Sequence, residues 1–178
     1  VNINDGAYGT NDSAGVREGR VDVNSRTSTR QYYVSRDRAN AFSFTTSYNC
    51  TGSPAQPFYL KNKNTDYDHM TVTTVKFSSA KEGFFEIYGA SGNPTGTTIS
   101  GANLNTMSNR TASVTCLGGG VSQLTLSGRF AMARTQAYGL QTILPAGALI
   151  GQEIAIAVQY TGGNGTVDVE VAGYWENK

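Results

Sequence analysis

Few side chains in this chain are placed to do chemistry, and they do not cluster. The only histidine, His69, stands in the run DYDHM. A hydrolytic triad would need Asp66 or Asp68 to orient it and a Ser or Cys elsewhere to attack, yet no nucleophile-elbow sequence supplies one. A surface histidine in a polar turn accounts for the same residues. Glu86, Asp168, Glu170 and Glu176 are carboxylates of the kind that pair in glycoside hydrolysis, but their positions fix no separation. Asp168 and Glu170 alternate with Val167, Val169 and Val171. At strand spacing they share a face about 7 Å apart, the pattern of an ordinary solvent-facing strand.

Cation and phosphate sites fare no better. Asp66 with Asp68, or the stretch NLNTMSNR from Asn103 to Arg110, offers hard oxygen ligands without the order of a calcium loop. GASGNPTG and LGGGVS lack the lysine and following helix of a phosphate-binding loop, so their glycines are read as turns or kinks. Cys50 and Cys116, the only cysteines, have no metal-ligand neighbours in sequence. They are expected to be reduced and partly buried, behaving as small apolar residues, with a disulfide as the alternative. The expectation is therefore no enzyme, no cofactor and no metal.

The segment that does stand out comes first in the chain. Residues 1–38 are polar and rich in Gly and Asn, without a sustained period of 2 or 3.6. Its basic residues are all arginines (Arg17, Arg20, Arg26, Arg30, Arg36 and Arg38), nearly balanced by acidic ones. Such a segment lacks the apolar area to offset an ordering cost of about 1–2 kcal/mol per residue unless another surface contributes contacts. It is read as an extended N-terminal docking arm, with Arg17, Arg20, Arg26, Arg30, Tyr32 and Tyr33 as its partner-binding residues.

The elements that follow, over 39–178, read as strand after strand. AFSFTT puts Phe42 and Phe44 on one face, and PFYLKN does the same for Phe58 and Leu60. In HMTVTTVKFSS, Met70 and Val72 are out of phase with Val75 and Phe77. One extra residue near Thr73 and Thr74, a β-bulge, restores the alternation. GFFEIYGA groups Phe85 with Ile87, and the chain is expected to reverse in GASGNPTGTT. Val114 with Cys116, Leu124 with Leu126, and Phe130 with Met132 are the inward pairs expected next. Ile154, Ile156 and Val158 should share a face, and TGGNG should close a hairpin onto the strand of Val167, Val169 and Val171. With no capped helical period, the fold expected is all-β, an antiparallel β-sandwich, jelly-roll-like, behind the arm.

Composition bounds the partners. Only 15% of the 178 residues are charged and the net charge is +1, so no long-range field gathers nucleic acid or an anionic membrane. No run approaches a membrane-spanning helix, the first residues lack signal-peptide regions, and the chain reads as soluble. With 21 Gly and 10 Tyr against one Trp, it is a turn-rich sheet sequence whose neutral polar surface suits packing against neighbours.

The order of short motifs carries a resemblance. REGRVDVNSRTS leads into NAFSFTTS, PFYLKNKNTDYDHMTVTTVKFSS, FFEIYGASGNPTGTT, NLNTMSNRTAS and LPAGALIGQEIAIAVQYTGGNGTVDVEVAGYWE. This succession, over most of residues 17–176, resembles tailed-bacteriophage virion structural proteins with a jelly-roll-like sandwich, of the capsid decoration (cement) protein type. The resemblance implies a structural protein on the capsid surface, assembled in the host cytoplasm, whose arm binds the major capsid protein or other virion subunits. It also implies a homo-oligomer, a homotrimer or a larger ring with the trimer favoured, and no binding of nucleic acid or membrane. The alternative is a carbohydrate- or receptor-binding head of a head-fibre or tail-associated protein, for which the tyrosines are the candidates.

Overall fold

Alternation at period two gives a sheet one apolar face, and a second sheet must cover it. The computed structural model, which describes residues 15–17, 20–22, 39–67, 69–143 and 148–175, has that arrangement. It is all-β, with two antiparallel sheets packed together and no helix among the described residues. Ahead of the sheets, β1 (Gly15–Arg17) and β2 (Arg20–Asp22) pair with each other and with no other strand among the described residues, so this early segment is not wholly without regular structure. The first large sheet contains β3 (Ala41–Cys50), β5 (His69–Ser79), β7 (Ala102–Asn103), β9 (Gln141–Ile143), β10 (Ala148–Gly151) and β12 (Gly165–Trp175). The second contains β4 (Ala55–Asn62), β6 (Gly83–Thr98), β8 (Val114–Thr135) and β11 (Ala155–Gly162).

Strand order in the first sheet is β10-β5-β12-β3-β7, with β9 also on β5. Its inner face contributes Phe42 and Phe44, Val75 and Phe77, and Val167, Val169 and Val171 to the main core. The second sheet answers with Phe58, Leu60, Phe85, Ile87, Ile156, Val158 and Tyr160. An aromatic stack ties the two together: Phe85 lies 4.2 Å from Phe77 and 4.9 Å from Tyr160, ring centre to ring centre. The expected bulge is present, since Ala172 pairs with Thr74 and Gly173 with Val72, leaving Thr73 as the extra residue. Its hydroxyl donates to the Ala172 carbonyl at 3.1 Å.

The second sheet closes into a ring in the order β11-β4-β8-β6. β8 achieves this by bonding β4 with residues 114–118 and β6 with residues up to Thr135. Closure turns the face away from the main core into a second, smaller interior, built from Tyr59, Leu117, Val121, Ala155 and Ala157, with Ala90, Leu124 and Leu126 beside them. Alanines line one wall because a ring of so few strands leaves little room. Gly119 and Gly120, at φ of 72° and 81°, take β8 through its kink. A Cβ on Gly120 would also lie 2.6 Å from the Tyr48 hydroxyl.

Four sequence expectations are corrected here. The chain does not reverse in GASGNPTGTT; β6 runs through it, and these turn formers supply the register shifts between Gly92 and Thr97 that let the strand curl. TGGNG does not close a hairpin, because β11 and β12 belong to different sheets and residues 163–164 carry the chain across the sandwich. Phe130 and Met132 face outward at 47% and 53% exposure. Phe130 is skipped where the register shifts between Ile87 and Tyr88, and the smaller Ala131 and Ala133 fill the space beside the aromatic stack. Ile154 lies before β11 and is exposed, so only Ile156 and Val158 share the inner face, joined by Tyr160.

Candidate functional site

Of the residues expected to bind partners, Arg17 and Arg20 are brought opposite each other as the last pair of the β1–β2 ladder. Arg26, Arg30, Tyr32 and Tyr33 lie outside the described residues. The place where this segment joins the sandwich is well defined. Asn40 is buried; its side-chain amide donates to the Tyr67 hydroxyl at 2.7 Å and its carbonyl accepts the Trp175 amide at 3.1 Å. Next to it, the Ala39 carbonyl accepts from Asn103 Nδ2 at 2.9 Å. Trp175 packs edge-on against Phe42, and its indole N–H donates to Asn62 Oδ1 at 3.0 Å, while Asn62 Nδ2 donates to the Ile150 carbonyl. Buried amides left without these partners would each cost about 1–3 kcal/mol, so the chain is held firmly where it enters the sandwich.

From that root β3 runs along the first sheet, and two bonds fix which way its backbone points. The Trp175 amide bonds Asn40 on the β12 side, and the Leu104 amide bonds the Ala41 carbonyl on the β7 side. Even-numbered β3 residues therefore bond β12 and odd-numbered ones point the other way. β7 pairs only with Phe42 and Ser43. Beyond it, Thr45, Ser47 and Asn49 turn their N–H and C=O groups to an edge that meets no strand among the described residues, and all three residues are exposed.

The outward side chains beside this edge form an open depression of about 340 Å³, lined by Thr45, Ser47, Lys76, Ser78, Asp168, Glu170 and Leu140 among others. Lys76 reaches Glu170 at 3.1 Å. Asp168 accepts the Ser78 hydroxyl at 2.9 Å and pairs with no cation among the described residues. The two carboxylates that shared a face in the sequence thus have different company, one paired and one not.

Glu86 lies on the face of the second sheet turned away from the main core and is buried. Burial works against its charge, but hydrogen bonds from Arg129, Gln159 and Tyr88 together outweigh it and hold the carboxyl below the usual range. Gln56 extends the network by donating to Gln159 at 3.3 Å. An ionised, fully engaged glutamate of this kind is a stabilising element rather than a proton donor.

The remaining sequence candidates separate in space. His69 begins β5, Asp66 lies in the preceding bend, and Asp68 and Glu176 lie outside the described residues. Among the described residues no group of three or more His, Cys, Asp and Glu could hold a metal ion. Asparagine oxygens of the 103–110 loop bond its own backbone, with Asn103 accepting from Asn105 N and Asn105 from Met107 N. Cys50 and Cys116 are free and buried; burial raises both thiols, that of Cys116 to about 12. Tyr59, Tyr67, Tyr160 and Tyr174 are buried as well, while Tyr138 is 83% exposed.

Sequence reasoning missed Asn40, Asn62 and the open edge. Asparagine is so common here that nothing marked the two buried ones. The edge had a readable signal, a strand without Lys, Pro or Glu, although strand neighbours cannot be read from one sequence. Comparison with family models, curated proteins and solved structures finds no match.

Proposed function

We propose that this chain is a structural virion protein of a tailed bacteriophage, a capsid decoration protein that binds the head shell through its N-terminal arm. The observation that carries the reading is the junction at Asn40, where a polar segment rich in Arg joins a sandwich through a buried residue bonded to Tyr67 and Trp175. A fixed root aims a segment that has little apolar area of its own, as a clamp requires. We assign the sandwich to the jelly rolls. In support, four strands of each sheet, in the orders β3-β12-β5-β10 and β4-β11-β6-β8, come from successive crossings between the sheets. The arm's arginines suit the task because planar guanidinium donors bridge carboxylates and carbonyls across an interface.

The test is cosedimentation with head shells that lack the protein, taken from the virus that encodes it. The full chain should sediment with the shells, and the variant with Arg17 and Arg20 changed to Ala should stay in the supernatant. Equal sedimentation of both would remove the arm from the binding surface, and failure of both to bind would reject the capsid reading.

A further inference from the structure

Sheet edges in native proteins are usually blunted by lysine, proline, a bulge or a covering loop, because bare N–H and C=O groups template another strand. β3 beyond Ser43 carries no lysine, proline or bulge and pairs with no further strand among the described residues, while the β8 kink at Gly118 and Gly120 packs against its inward Thr46 and Tyr48. Thr45, Ser47 and Asn49 are neutral, exposed and in unbroken register with β12. Three alternate residues thus present N–H and C=O groups on one line, enough for a strand to add by main-chain hydrogen bonds.

The geometry points to this edge as the receiving site for an extended strand from a second copy of the chain, the segment from Val23 to Val34. The inference rests on the docking-arm reading above and divides the arm: Arg17 and Arg20 are left to the shell, and the segment that follows them meets a neighbouring copy. Charge is the first argument. In an extended segment Arg26 and Arg30 share a face. A strand laid along β3 sits about 10 Å from β12, two strand spacings, within reach of an arginine and a carboxylate extended toward each other. Between them stand only Thr45 and Ser47, whose small side chains leave the depression open, and beyond them is Asp168, which has no cationic partner among the described residues. A guanidinium lying over Ser47 would meet it there. Composition is the second argument, since Thr27, Thr29, Tyr32, Tyr33 and Val34 favour an extended conformation.

A second copy, rather than the chain's own arm, follows from the root. β7 already occupies the edge at Phe42 and Ser43, and Ala39 is tied to Asn103 beside it. The chain's own segment would have to pass around β7 to return along the same edge. A neighbour's segment meets no such obstacle, and a head-to-tail contact of this kind closes into a ring when the rotation allows.

The experiment uses the full chain, with molar mass by light scattering and amide hydrogen exchange read at high and low concentration. The wild-type chain should assemble, and the Thr45, Ser47 and Asn49 amides should exchange at least about tenfold more slowly in the assembly than after dilution. Ser47→Pro should shift the mass to monomer without lowering the melting temperature, because that N–H points away from β12 and proline is tolerated on an edge. Asp168→Lys should weaken assembly about tenfold, and adding Arg26→Glu and Arg30→Glu in the same chain should restore it. Wild-type assembly by the Ser47→Pro variant would overturn the receiving site. So would a wild-type chain that stays monomeric, and protection that persists after dilution would assign the edge to the chain's own arm. The arm reading fails separately, in the cosedimentation test. If the arm arginines matter there while Ser47→Pro assembles normally, only the receiving site is lost.

Discussion

In the second sheet, β8 is long enough to bond β4 with its first residues and β6 with its last, and the sheet has no free side. In the first sheet, β3 is paired along its whole length with β12 on one side and over Phe42 and Ser43 on the other. The difference leaves backbone groups unpaired along one edge of the first sheet among the described residues. Closure costs the second sheet interior volume, which is why its second core is built on Ala90, Ala155 and Ala157. The first sheet keeps large residues inside and an available edge outside.

The largest effect expected comes from the core that both sheets share. Phe85→Ala removes the middle ring of the Phe77–Phe85–Tyr160 stack and should cost about 3–5 kcal/mol in urea unfolding. The contrast between the interiors sharpens with Ala157→Leu, which adds volume to the small ring interior. It should cost about 1–3 kcal/mol through overpacking. Equal costs for the two variants, measured side by side, would mean that the small interior carries as much of the fold as the large one, and the contrast would break.

A smaller effect depends on pH. In the folded chain the Glu86 carboxyl is held below its ordinary value, so acidification puts protons on the unfolded chain first. Its contribution is fully present above the ordinary carboxylate range and is lost as pH falls through that range to the lowered value. Glu153, held low by hydrogen bonds from Lys61 and Lys63, adds a change of the same sign. Glu86→Gln should therefore show a smaller fall in melting temperature between pH 6 and pH 3 than the wild-type chain, followed by circular dichroism. An identical fall would show that the Arg129, Gln159 and Tyr88 contacts do not hold the carboxyl low.

What the sequence disclosed and what it hid follow from range. Alternation is local, so the inward Val167, Val169 and Val171 were readable, and a break in alternation was enough to place the bulge at Thr73. Long-range pairing is not local. Phe130 and Met132 looked inward because their phase was right over a few residues, and the register shift against β6 that turns them out depends on a strand more than forty positions away. The TGGNG turn was legible as tight, but only the partners of β11 and β12 reveal that it crosses between sheets. At the candidate site the arginines were plain in the composition, whereas the open edge arises because β7 pairs over just two residues of β3.

The buried root at Asn40 has a mechanical consequence. Where the chain enters β3 it lies beside the end of β12, Ala41 opposite Tyr174, and the ladder continues from there to Cys50 opposite Gly165. A tension carried by the preceding segment and directed along β3 would load the rungs of that ladder in parallel, as a shear, rather than peeling them one by one. The opposite pull, outward and across the sheet, would meet Asn40 first, with its bonds to Tyr67 and Trp175 as the latch. The sandwich should therefore resist force along β3 better than force normal to it.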